Sequence, residues 1–264
     1  MPDGRTLQVA SVHHYRDQWA KAFDVKYEDD SGDQKYVHQT TYGMSERLLG
    51  ATVATHGDDK GLIMPPSIAP IQVVIVPILS KDGSEEIMSA ANEMVKELKS
   101  EKIRVKLDDR DIRPGQKYYD WEIKGVPLRI ELGPRDLKSD SFMCARRTGE
   151  KSSYNLQELV SSVKKELDLV NEHMRERAKS HFNHHIKKMP KVDINGSTIS
   201  FEKKLEDGFV YEMAFEGNDA EAEMIEKETG FSLLGESTSP YSEKRECIVT
   251  GKPTHNKVFL AKTY

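Results

Sequence analysis

The period of the apolar positions changes along the chain, and the changes mark its elements. From residue 71 to 79, IQVVIVPIL is apolar almost without a break, as in a strand covered on both faces. SEEIMSAANEMVKELKSEK then takes up helical spacing. Ile87, Ala91, Met94, Val95 and Leu98 fall on one face, and Ser84 stands where an N-cap belongs. IRVKLDD predicts a second strand, RPGQKYYDWEIKG a turn and a helix, VPLRIELG a third strand and SFMCARR a fourth. NLQELVSSVKKELDLVNEHMRERAKSHF reads as a long helix capped by Asn155. It runs on through HFNHHIKKMPK to a stop at Pro190. Alternating β and α elements over 70–175 predict an α/β domain with a mostly parallel mixed sheet.

The flanks read differently. KYVHQTTYG (35–43) predicts one strand; Ser45 then caps a helix, ERLLGATVATH, and Gly57 stops it. MPPSIAP (64–70) looks like a boundary. Residues 190–264 mix short strands, an acidic helix (AEAEMIEKETG) and a terminal strand (KVFLAKTY), an α+β pattern. No internal repeat or low-complexity segment is visible. The pattern sets off three regions: up to the boundary at 64–70, roughly 70–175, and about 190–264.

Composition narrows the classes. A chain of 264 residues suits two or three modest domains. No run approaches the roughly 18 apolar residues of a membrane helix, and MPDGRTLQVASVHHYRDQW lacks the apolar core of a secretory signal. Two distant cysteines, Cys144 and Cys247, argue against a disulfide scaffold and for a reducing, cytoplasmic setting. The net charge of −5 excludes a generic polyanion binder. Yet residues 110–151 hold ten Lys/Arg against seven Asp/Glu, while 201–246 hold five against thirteen. A local basic surface can bind phosphates while the rest repels them; ordinary solvated faces give the same counts.

Several residues then stand out. Arg47, in the first turn of its helix, opposes the helix dipole. Either it is simply solvated or a ligand phosphate compensates it. Glu122 with Arg129, and Arg135 with Asp136, read as a structural ion-pair ladder on an α/β domain. His13 reads as a strand-end histidine. His181 and His185 stand four apart on the predicted helix, but no HExxH pattern accompanies them, so no metal site is expected.

Three stretches together resemble the prolyl-tRNA synthetases of the archaeal and eukaryotic type, a class IIa family. They are MPDGRTLQVASVHHYRDQWAKAFDV, SERLLGATVATHGDDKGLIMPP, and DDRDIRPGQKYYDWEIKGVPLRIELGPRDL with RRTGEK. The second is similar to motif 3 of class II synthetases. The third is similar to the class IIa anticodon-binding domain and is the most specific. The resemblance covers nearly the whole chain.

The resemblance implies three domains: a partial class II antiparallel catalytic core (1–69), an anticodon-binding domain (70–175), and a small C-terminal domain (176–264) of a type that often holds zinc. It implies ATP-dependent activation of proline and its transfer to tRNA(Pro). Arg47 would grip the ATP γ-phosphate, with Ser45, Gln8 and Ser11 beside the nucleotide and His13 holding proline. Glu122, Arg129, Asp136 and Lys151 would read the anticodon guanines, with Arg135 on a phosphate or base beside them. ATP with Mg2+ and a homodimer belong to the complete enzyme of such a family. The partners implied are tRNA(Pro), proline and ATP, with no membrane and no DNA. Nothing in residues 1–44 resembles motif 1 or motif 2. The chain alone is therefore expected to be inactive: part of a synthetase, a non-catalytic tRNA-binding module, or one half of a split enzyme completed by a separate N-terminal half. Of the family's zinc cysteines only Cys247 is matched, with Thr250 where the second of its pair would stand, so no zinc is expected. Residues 1–69 are expected to be the least stable part.

Overall fold

A computed structural model describes residues 1–79, 84–195 and 198–264. The chain divides into two compact units, Val53–His184 and the pair of segments Met1–Thr52 with His185–Tyr264.

The discontinuous unit begins with β1 (Ala10–Arg16), α1 (Gln18–Ala22), β2 (Lys26–Glu28), β3 (Gln34–Tyr36), β4 (Gln39–Met44) and α2 (Arg47–His56), the unit boundary falling within α2. The single strand expected over 35–43 is two: β3 forms a hairpin with β2, and β4 pairs antiparallel with β1. In the β1–β4 pair, Ser11 faces Gly43 and His13 faces Thr41, so these four share one face. The opposite face carries Val12, Tyr42 and Met44, which are 69%, 74% and 78% exposed. Ser45 holds the start of α2, its Oγ accepting the Arg47 N–H at 3.3 Å.

The contiguous unit holds β5 (Val73–Pro77), α3 (Ser84–Ser100), β6 (Val105–Leu107), α4 (Pro114–Ile123), β7 (Leu128–Leu132), α5 (Pro134–Lys138), β8 (Ser141–Arg146), β9 (Lys151–Asn155) and α6 (Leu159–His184). Its sheet runs β6-β5-β7-β8-β9. β5 is parallel to β6 and β7, whereas β7–β8 and β8–β9 are antiparallel. The sheet is thus mixed in equal measure rather than mostly parallel, because the RTGE turn folds SFMCARR and KSSYN into a hairpin. Every residue of β5 is buried. One face of the sheet meets α3 and α6 through Ile75, Leu128, Ile130, Phe142, Ile87, Leu98 and Val163. The other meets α4 through Val74, Val76 and Trp121. In α3, Ile87, Ala91, Met94 and Leu98 are buried as the spacing required. Among the described residues α3 begins at Ser84. Asn155 caps a 3-10 turn (Leu156–Glu158) leading into α6, accepting the Gln157 N–H at 2.9 Å.

The long helix ends at His184, short of Pro190. Residues Ile186–Lys188 form β10, parallel to β13 (Val210–Ala214), so strand pairing claims them first. His185 lies past the helix end, and the helical pairing with His181 does not arise. Beyond β10 come β11 (Val192–Asn195), β12 (Thr198–Phe201), β13, α7 (Asp219–Thr229), β14 (Ser232–Glu236), β15 (Arg245–Glu246), β16 (Pro253–Thr254) and β17 (Lys257–Ala261). The sheet β10-β13-β17-β14 packs over Tyr211, Met213, Ile225, Val258 and Leu260. α7 has the full set of end signals, an Asn218–Glu221 capping box and Gly230 at φ +67°. The two chain ends meet within this unit. Thr6 N–H donates to Lys262 O at 2.9 Å, Tyr264 N–H to Thr6 O at 3.1 Å, and Tyr264 Oη to Asp3 at 2.5 Å.

Candidate nucleic-acid interface

One face of the contiguous unit's sheet is built by strand parity. In β7, Leu128, Ile130 and Leu132 point to the core, so Arg129 and Glu131 share the opposite face. Register places Arg129, Ala145 and Lys151 in one row across β7, β8 and β9. α4 brings Tyr118 and Glu122, four apart and on one helix face, to the same face of the sheet.

These five side chains form one cluster. Arg129 donates from Nε and Nη2 to a single Glu131 oxygen at 3.1 and 3.0 Å, and from Nη1 to Glu122 at 3.4 Å. Lys151 Nζ donates to both Glu131 oxygens, at 2.9 and 3.2 Å. The Arg129 guanidinium lies 4.0 Å from the centre of the Tyr118 ring. Burial and the negative charge of Glu131 push the Tyr118 hydroxyl up to about 12, so it stays protonated. The Glu122–Arg129 half of the expected ladder is present but long. Asp136 makes a capping contact instead, accepting the Gly133 N–H at 2.9 Å at the start of α5. Arg135, one residue before it, is exposed and has no ion-pair partner among the described residues. Glu131 and Tyr118 were not singled out from the sequence. The signals were there: two residues on from Arg129 in a strand, and four before Glu122 in a helix.

Two anchors fix α4. At one, buried Asp108, just past β6, accepts Trp121 Nε1 at 2.7 Å and the Arg110 Nε and Nη2 at 2.8 and 2.7 Å, while Lys117 Nζ donates to its carbonyl at 2.9 Å. Burial alone would raise the Asp108 carboxyl; the Arg110 and Trp121 bonds outweigh it and hold it at about 2. At the other, buried Arg147 donates Nε to the Glu122 carbonyl at 3.0 Å and grips Asp58 at 2.9 and 2.5 Å, holding the Asp58 carboxyl at about 2. The loop after α2 closes on the same helix end, with Leu62 N–H donating to Ile123 O and Met64 N–H to Gly125 O.

Two cavities open among the described residues of the discontinuous unit. One, of about 260 Å³, is lined by Gln8, Ser11, Gly43, Ser45 and Arg47 with backbone neighbours. It brings together every residue expected beside the nucleotide. Arg47 Nη1 donates to the Gln8 carbonyl at 3.2 Å. A guanidinium, two hydroxyls and a carboxamide fit an anionic, hydrogen-bonding ligand. No carboxylate lines this cavity, so its residues do not fit a site for Mg2+. His13 is not in its lining. It stacks on Tyr15 at 5.3 Å, and Tyr15 lines the other cavity, about 570 Å³ and mostly apolar, with Trp19, Phe23 and Val25. His13 thus lies between the two along β1. Cys247 is buried and accepts the Glu216 N–H at 3.2 Å. Burial would raise its thiol, but the Thr250 contacts and backbone N–H groups leave it lower than usual. Among the described residues no three His, Cys, Asp or Glu side chains gather as a metal site. No described helix is long and apolar enough to cross a membrane.

Comparison with known proteins bears on this geometry. Residues 72–166 match the model of the anticodon binding domain. The whole chain is 45% identical to a proline–tRNA ligase of Thermococcus kodakarensis, covering 55% of that protein. It is 43% identical to those of Methanosarcina mazei and Pyrococcus abyssi, again over its full length and over 54% and 55% of theirs. The chain spans about half the length of the curated relatives it matches.

Proposed function

We propose, from the premise that this chain is homologous along its entire length to proline–tRNA ligases, that it serves in charging tRNA(Pro) with proline and reads the anticodon. The carrying observation is the Glu122–Arg129–Glu131–Lys151 cluster, half-buried between α4 and the face of β7 and β9 in the matched domain. Guanine offers acceptors at O6 and N7 and donors at N1 and N2. Arg129 and Lys151 supply the donors and Glu122 the acceptor. Without RNA these groups satisfy one another, and the long Glu122–Arg129 contact is the one a base edge displaces. Unpaired loop bases expose such edges, as sequence-specific RNA reading requires. Exposed Arg135 takes a neighbouring phosphate or base, and the Asp136 carboxylate stands beside it as a further acceptor.

The three-domain division at 1–69, 70–175 and 176–264 belongs to this reading, with a partial class II catalytic core first and a small C-terminal domain without zinc last. In the cavity at Arg47, that guanidinium meets the ATP γ-phosphate, Ser45, Gln8 and Ser11 orient the nucleotide, and His13 holds proline. Attack of the proline carboxylate on the α-phosphate needs positioning and charge neutralisation. Among the described residues Arg47 is the only cation lining the cavity, so this chain alone does not form prolyl-adenylate. The complete enzyme, a homodimer or a pairing with a separate N-terminal half, supplies the second arginine and the Mg2+ ligands, in the cytoplasm.

The half-length match favours one second reading, a tRNA-binding module without catalysis. Proline-dependent ATP–pyrophosphate exchange separates the two: activity restored by a partner half supports the synthetase, and none under any pairing supports the module. The anticodon reading is tested by binding to tRNA(Pro) and to a transcript with both anticodon guanines replaced, at two salt concentrations. Loss of affinity with the guanines supports it. Equal binding that weakens steeply with salt means phosphate contacts alone and refutes it.

A further inference from the structure

We propose that Glu131 and Tyr118 are positioning residues for guanine recognition, fixing the two donors that Arg129 and Lys151 present, and this rests on the anticodon reading above. Among the described residues Glu131 is the one acceptor that touches both cations. A single oxygen takes Arg129 Nε, Arg129 Nη2 and Lys151 Nζ at 3.1, 3.0 and 2.9 Å. This locks one edge of the guanidinium fork and sets the separation of the two cations. Tyr118 covers one face of the same guanidinium at 4.0 Å and lies 5.8 Å from Lys151 Nζ. The remaining fork edge, carrying Nη1, turns to Glu122.

The two carboxylates are unequal. Glu131 has 11% of its side chain exposed and four contacts of 2.9–3.2 Å; Glu122 has 32% exposed and one contact at 3.4 Å. Charge-assisted N–H···O bonds usually close to about 2.7–2.9 Å, so the Glu122 side is the loose one. A base therefore exchanges with Glu122 while Glu131 stays in place. Bidentate reading depends on the fork's direction as much as on its charge, and Glu131 and Tyr118 together fix that direction. Neither needs to touch RNA.

The test compares two anticodon stem-loop RNAs, one with the proline guanines and one with adenines in their place. Affinities are measured for the full chain, Glu131→Gln, Tyr118→Leu and Tyr118→Phe. Glu131→Gln keeps the shape and one acceptor but removes the charge that holds both cations. Its preference for the guanine loop should fall roughly tenfold, the scale of one bidentate contact, while binding to the adenine loop changes little. Tyr118→Leu should also lose preference, and Tyr118→Phe, which keeps the ring, should retain it. A purely structural role would lower the melting temperature and leave the ratio intact. Should Glu131→Gln fail to fold, the Tyr118 pair decides. A wild-type ratio in folded Glu131→Gln, or in Tyr118→Leu, overturns the positioning role alone. Absence of any guanine preference in the unaltered chain overturns the anticodon reading itself.

Discussion

At the scale of single residues, two carboxylates tie the stability of the contiguous unit to pH. Asp108 and Asp58 are held at about 2 against an ordinary value of 3.8. Each is therefore ionised in the fold where it would begin to protonate in the unfolded chain. The stability they add is complete above about pH 4 and is lost as the pH falls toward 2. We expect the melting temperature of the contiguous unit to drop steeply across that window, with Asp108→Asn flattening the drop. At pH 7 that substitution should cost on the order of 2 kcal/mol, measured by denaturant unfolding. An undiminished acid slope in the variant would place the titrating group elsewhere. Glu131→Ala should cost more, about 3–5 kcal/mol, because Arg129 would stay buried without its main partner.

At the scale of elements, two glycines decide how the loop after α2 meets α4. Gly61 has φ +125°, and a Cβ there would stand 2.6 Å from the Ile123 Cα; Gly125 has φ +69°, and its Cβ would stand 2.7 Å from Leu62 backbone. Neither neighbour is a flexible tip, so Gly125→Ala should destabilise by about 1–3 kcal/mol. Weakened guanine preference should accompany it, since Glu122 sits on that helix end. A variant with unchanged melting temperature would count against the interlock. Sequence legibility followed the strength of the local pattern. β5, α3 and α7 carried dense apolar runs or full caps and were readable to within a residue or two. β9 was not, because KSSYN is short and polar and gains its partner only from the turn before it. The end of α6 was misplaced because HFNHHIKK has no breaker; pairing with β13, far along the chain, ends the helix. In the candidate site, Glu122 and Arg129 were legible from their spacing and the family pattern. The weight carried by Glu131 was not, since contact with two cations depends on cross-strand register.

At the scale of the whole molecule, the two units differ in how the chain builds them. Val53–His184 is one uninterrupted segment with its own core, so expressed alone it should fold cooperatively and keep the stem-loop binding of the full chain. Loss of binding in a folded 53–184 segment would show that residues outside it take part in reading. The other unit depends on both ends. Removing Lys262–Tyr264 takes away the Thr6 and Asp3 contacts, and amide exchange in residues 1–10 should rise sharply. Unchanged protection there would mean those contacts add nothing. The exposed Val12, Tyr42 and Met44 face makes this the unit with least to lose before it opens.

The joining of residues 1–6 to Lys262–Tyr264 also sets an order of events in refolding. Val53–His184 draws its contacts from one unbroken segment. Residues 1–52 share their unit with His185–Tyr264, so their partners lie across a long loop whose closure costs entropy before the contacts offset it. The contiguous unit should therefore close first and the discontinuous one last. During that interval the apolar face of β1 and β4 is a substrate for chaperones, until the two segments are zipped together.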